Sequence, residues 1–187
     1  PATSARPGAL ASAPTLACIT NAGTPRSLNI LYPNISAARL PAMLRIALTG
    51  ALIAGTYGAI HDQISFAISP EYFTRMKFHQ FRWADVGLPP RAFASVVGVL
   101  ATWWAGLFAG WVLARIGLDR LPPESRAPLQ RRAFAIILLS TVLAGALGAL
   151  AGVLISRGDL SGWREYRDAY ILRDLPSFVT VAWLHAA

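Results

Sequence analysis

Residues 133–155 read AFAIILLSTVLAGALGALAGVLI, with no charge and no proline along the whole stretch. A helix built from it has no polar face to offer water, and hydrocarbon is the solvent that suits it. Two earlier stretches repeat the pattern. Residues 43–60, MLRIALTGALIAGTYGAI, would form a helix about 27 Å long, just enough to cross a bilayer core. Arg45 lies within a turn of its start, from where a long side chain reaches the headgroups. Residues 93–113 form the next apolar run and carry Trp103, Trp104 and Trp111. Residues 178–187, FVTVAWLHAA, are apolar but too short to span, as a re-entrant segment or the start of a fourth helix would be. The expected fold is an all-α membrane protein. It has three complete spans and a partial fourth.

Composition leads the same way. The chain has 187 residues, of which 55% are hydrophobic and 14% charged, and its mean hydropathy is +0.46. Soluble domains carry about a quarter charged residues, so this chain has roughly half the usual polar surface. The net charge of +8 comes from 17 basic and 9 acidic residues. The arginines gather at the ends of the apolar runs, where they meet lipid headgroups. That placement accounts for the charge without nucleic acid, which would need a basic stripe on a folded surface. Cys18 is the only cysteine, so an intrachain disulfide is excluded.

Two regions follow. Residues 1–38 are rich in Ala, Ser, Thr and Pro, with prolines at 1, 7, 14, 25 and 33. No apolar periodicity survives there, and the expectation is an extended leader held by other subunits. Residues 39–187 are the transmembrane domain. Within it, residues 61–91 read as a polar, aromatic connection, with the rings and cations between Glu71 and Trp83 lying flat at the membrane interface. Residues 115–132, with five arginines, read as a loop, and residues 156–177 as a connection holding a short amphipathic helix. Counting Lys and Arg on alternating sides gives nine against eight. The dense cluster in 115–132 places that loop and the N-terminus in the cytoplasm of a bacterial inner membrane.

Small residues four apart let helix backbones approach closely in lipid. Gly106 with Gly110, and Gly148 with Gly152, are the pairs expected to pack helices together. His61, Asp62 and Gln63 close the first apolar run, and Glu71 follows. A His, an Asp and a Glu near a membrane face can bind a metal or relay protons. The spacing matches no zinc or di-iron pattern, which favours a structural role in which HDQ ends the helix. Ser69-Pro70-Glu71 is a helix-start signature: a cap, a first-position proline and an acid in the first turn. His79 and His185 are each single histidines in apolar or aromatic surroundings, read as hydrogen-bonded structural residues. No phosphate loop, CxxC, HExxH or GxSxG motif occurs. No charge falls in the middle of the three runs, which argues against an ion-coupled transporter.

The stretch TYGAIHDQISFAISPEYFT, residues 56–74, resembles the signature of a group of bacterial multi-pass inner-membrane proteins that have no assigned activity. The matching residues are Tyr57, Gly58, His61, Asp62, Gln63, Glu71, Tyr72, Phe73 and Thr74. The resemblance covers about residues 43–187 and implies four helices, the last opening through Ala182, Trp183 and His185; it implies no chemistry.

The function expected from all this is a non-catalytic accessory subunit of a larger membrane complex, photosynthetic or respiratory assemblies being the usual setting. The partners are then other membrane subunits and the bilayer. No cofactor is expected from the motifs, and a bound lipid or pigment stays open. The rival expectations are a small transporter or channel, and a membrane enzyme using His61, Asp62 and Glu71.

Overall fold

The computed structural model describes residues 37–120 and 122–186, so the leader over 1–36 lies outside the described residues. A 3-10 turn, Ala37–Arg39, leads into α1 (Leu40–Ile68). A π-helical segment, Tyr72–Lys77, continues into α2 (Phe78–Gln80), and a second 3-10 turn follows at Arg82–Ala84. Then come α3 (Pro90–Arg120), α4 (Pro123–Ser156), α5 (Arg164–Tyr170) and α6 (Leu175–Ala186). No strand occurs among the described residues. The helices that hold the three apolar runs, α1, α3 and α4, are long and apolar enough to cross a membrane.

Every span is longer than its apolar run, and the prolines explain why. A helix continues through polar residues so long as its backbone hydrogen bonds close, but the residue before a proline is pushed out of the α region. Thus α1 runs past His61-Asp62-Gln63 to Ile68 and stops at Ser69, whose φ of −141° and ψ of 92° precede Pro70. HDQ therefore does not end the first helix. Likewise α3 starts at Pro90 and α4 at Pro123, each using proline at a helix start. The expected 115–132 loop is for the most part helix. The short helix expected in 156–177 is α5.

α1 and α3 lie antiparallel and almost in backbone contact. A methyl group on Gly58 would overlap the Gly98 carbonyl oxygen, and one on Gly50 would overlap that of Gly106. On Gly110 it would sit 2.7 Å from the Ile46 carbonyl oxygen. Between these crossings the Thr102 hydroxyl lies 2.8 Å from the Ala54 carbonyl oxygen and can donate to it across the interface. Each four-residue step along α1 is answered by one in the reverse direction along α3. Close packing of this kind holds helices together where lipid removes the hydrophobic drive.

The second pairing is α4 against α6, also antiparallel. Gly152 faces the Thr180 backbone, where a methyl group would meet the Cα at 2.7 Å, and Gly145 faces Leu184. Gly148 is buried between them in sequence. The two pairs meet less closely. An apolar crevice of about 170 Å³ separates them, lined by Ile53, Ala54, Ala105, Phe134 and Leu138.

The aromatic segment after α1 turns inward. Tyr72 and Phe73 are buried and pack with Phe178, Val181, Ala94 and Leu172 in one cluster, against Phe66, Met76 and Phe78. It does not lie flat on an outer face: Tyr72 and Phe73 pack against Phe178 and Val181 of α6, which takes their rings out of solvent. Trp83, by contrast, is 75% exposed.

Candidate functional site

The signature residues sit at the junction of α1, the π-helical segment, α3 and α6. Four residues per turn-and-a-bit place Tyr57 and His61 on one stripe of α1, and the Tyr57 hydroxyl lies 3.3 Å from His61 Nδ1. Asp62, the next residue, is buried, 4% exposed. His185, near the end of α6, comes down on both. Its ring meets that of His61 edge-on at 4.8 Å, and its Nε2 lies 3.8 Å from Asp62 Oδ1. Tyr72 stacks on its other face at 4.9 Å, with 25° between the planes.

Two of the motif's polar side chains, Gln63 and Glu71, tie elements together. The Gln63 amide nitrogen lies 2.7 Å from both the Arg91 carbonyl oxygen and Ser95 Oγ, while Arg91 Nε donates to Gln63 Oε1 at 3.0 Å. This bracket joins the last turns of α1 to the first turn of α3. Glu71 Oε2 accepts hydrogen bonds from the backbone N–H groups of Arg173 and Asp174. The carboxylate thus sits at the positive end of α6, where Asp174 Oδ1 also accepts from Ser177 N–H at 3.1 Å. Its dipole partner is α6, not the helix that Glu71 itself begins. The Ser69 hydroxyl does accept from Tyr72 N–H, at 3.4 Å. Thr74 faces outward and its hydroxyl donates to the Pro70 carbonyl oxygen.

Burial among Phe73, Phe178 and His185 pushes the Tyr72 hydroxyl well above the usual tyrosine range, with the Asp62 charge adding to it. Lys77, whose Nζ lies 5.8 Å from the Tyr72 ring centre, is shifted down by burial against the opposing pull of Asp62.

The metal-binding alternative to a structural role, with His61, Asp62 and Glu71 as ligands, is not assembled, because Glu71 reaches away to α6. His185 stands in its place. His61, Asp62 and His185 each offer a ligand atom, all within 4.8 Å of one another. His185 is 124 positions from His61, and no local spacing could have linked them. Gly50, Gly58 and Gly98 carry a readable signal, a four-residue period shared with Gly106 and Gly110.

Fold and site define a class: a multi-pass α-helical membrane protein with a buried polar cluster inside its helical bundle. Comparison with protein-family models, curated proteins and solved structures gives no match to this chain. The resemblance to the YGxxHDQ…EYFT group rests on the quoted residues alone.

Proposed function

We propose that the chain is a non-catalytic accessory subunit of a larger assembly in a bacterial inner membrane. The observation that carries this reading is how the signature residues are used. Gln63 brackets α1 to α3, Glu71 latches onto α6, and Tyr72 and Phe73 fill the core between them. These side chains fix one helix arrangement, which is what a subunit presenting a shaped surface needs. The first half of α4 supplies such a surface. Ile136, Ile137, Leu138 and Leu139 are 54%, 43%, 37% and 69% exposed, and four successive residues, at about 100° each, go right round a helix. Leu138 and Ile137 border the crevice against α1 and α3, while the more exposed Ile136 and Leu139 are the side chains on that half for a neighbouring subunit to cover. Respiratory and photosynthetic complexes are the assemblies this reading favours.

The test is purification of the chain from its native membranes in a mild detergent, followed by mass spectrometry. Defined membrane proteins should co-purify in fixed ratio. A chain that migrates alone at every detergent concentration overturns the reading. A second reading, a membrane enzyme, gains support from the cluster of His61 and Asp62, with His185 in the place expected for Glu71.

A further inference from the structure

We propose that His61, Asp62 and His185 form a binding site for one divalent first-row transition-metal ion inside the helical bundle. This goes beyond the accessory-subunit reading and does not depend on it. Three independent features of the site lead there.

The first is an unanswered polar atom. His185 Nε2 is buried and has no hydrogen-bond partner. Its nearest acidic neighbour is Asp62 Oδ1 at 3.8 Å, beyond hydrogen-bond range. Unpaired polar groups inside a protein are costly, and within a spanning helix an ionisable side chain marks a functional site. Asp62 is such a side chain, 4% exposed within α1. A cation between these two atoms satisfies both.

The second is the separation of the ligand atoms. Bonds of about 2.1 Å in a tetrahedral site place ligand atoms about 3.4 Å apart. The Asp62–His185 edge is 3.8 Å and the whole set lies within 4.8 Å. Against that edge the ligand atoms here stand about 0.4–1.4 Å too far apart, a small adjustment for side chains to make on binding. Two imidazoles and one carboxylate suit zinc or ferrous iron, whereas calcium and magnesium want oxygen ligands. Three protein ligands leave a tetrahedral ion one position short, for water or a further donor.

The third is the support behind the ligands. The Tyr57 hydroxyl engages Nδ1 of His61, so coordination falls to Nε2. The Tyr72 ring stacks on His185 and fixes its plane. The Glu71 latch sets the position of α6 and so brings His185 to α1. His185 lies ten residues into α6, about 15 Å along the helix from Leu175. The site is therefore set back from the face where α6 begins.

The experiment uses the full chain without an affinity tag, purified in detergent, stripped with a chelator and titrated with Co²⁺, with zinc content measured in parallel. One Co²⁺ per chain should bind with ligand-field absorption of a nitrogen–oxygen site. His185→Ala and Asp62→Asn should each weaken binding by more than about a hundredfold, since even supporting residues cost 10–100-fold. Tyr57→Phe should fall within that smaller range, and His79→Ala, an exposed histidine in α2, should bind like the parent chain. Unfolded variants bind nothing for a trivial reason, so the parent chain is decisive by itself. No stoichiometric Co²⁺ uptake by the folded parent overturns the site. So does unchanged uptake by folded His185→Ala or Asp62→Asn.

Discussion

Glu71 and Asp174 are 103 positions apart in sequence, yet the Glu71 carboxylate accepts the Asp174 backbone N–H at 2.9 Å. The same oxygen takes the Arg173 N–H at 2.9 Å. A charge is thereby held at the positive end of α6 by a residue from the segment that follows α1. Glu71→Gln keeps an acceptor but removes the charge, and should cost about 0.5–1 kcal/mol. Glu71→Ala also removes the acceptor and should cost about 1–3 kcal/mol. Unfolding in detergent micelles measures both. Hydrogen exchange should show Arg173 and Asp174 amides losing protection before those of α1.

The contact between α1 and α3 yields a sharper contrast. Gly58→Ala or Gly98→Ala places a methyl group on the facing carbonyl oxygen, and backbone has no rotamer by which to yield. Overpacking of that kind should cost about 3 kcal/mol or more, with the helices forced apart. Gly145→Ala is the control. Its methyl group would meet Leu184, the Tyr57 hydroxyl and His61 at 3.6–3.8 Å, ordinary contact. Replacing a mid-helix glycine with alanine gains up to about 1 kcal/mol in helix propensity. Thermal stability in detergent should fall steeply for the first two variants and hold or rise for the third.

These relationships mark what the sequence could and could not tell. The spans were legible because an uncharged run of Ala, Leu, Ile, Val and Gly has one comfortable solvent. Hydropathy drops at His61 and at Arg115, whereas the backbone keeps its helical hydrogen bonds to Ser69, just before Pro70, and along α4 from Pro123 through Pro128. Pro70, Pro90 and Pro123 were the better markers. The pair Gly106 and Gly110 was readable from its spacing; its partners Gly50 and Ile46 lie on another helix, and pairing between helices has no one-chain signature. The same applies to His185. It was visible as a single histidine in an apolar run, and only the antiparallel return of α6 brings it to His61 and Asp62. Composition alone points the aromatic run to the interface, since Tyr and Trp sit well at headgroups. Burial of Tyr72 and Phe73 depends on α6 being there to receive them.

Sidedness has one structural anchor. The Glu71 latch puts the connection after α1 on the same side as the start of α6, which three antiparallel crossings also require. Arg115 and Arg120 at the end of α3, with Arg126, Arg131 and Arg132 at the start of α4, favour the cytoplasm for the opposite side. A reporter inserted between residues 121 and 122 should therefore read cytoplasmic, and one inserted at 86–87 periplasmic. The inverse pattern would reverse the orientation and leave the three spans in place.

Tyr72 gives a test through pH. Its hydroxyl is raised in the folded chain by burial, so the folded state resists ionisation that the unfolded chain undergoes near about pH 10. A raised acid of this kind contributes stability that is complete below the unfolded value. That contribution drains away as pH climbs from there towards the folded value, because only the unfolded chain is gaining charge. Lys77 acts in the opposite sense. Its folded value is lowered, so the folded chain sheds the ammonium proton first, and stability rises with pH across its own range. The two slopes partly cancel in the parent chain. Tyr72→Phe keeps the ring against Phe178 and His185 and removes only the titrating group. The variant should therefore lose less stability than the parent between about pH 9 and 11, or gain slightly, with Lys77 unopposed. Unfolding followed at several alkaline pH values, parent against variant, reads the difference directly. Parallel curves for the two chains would show Tyr72 ionising as freely in the fold as in water.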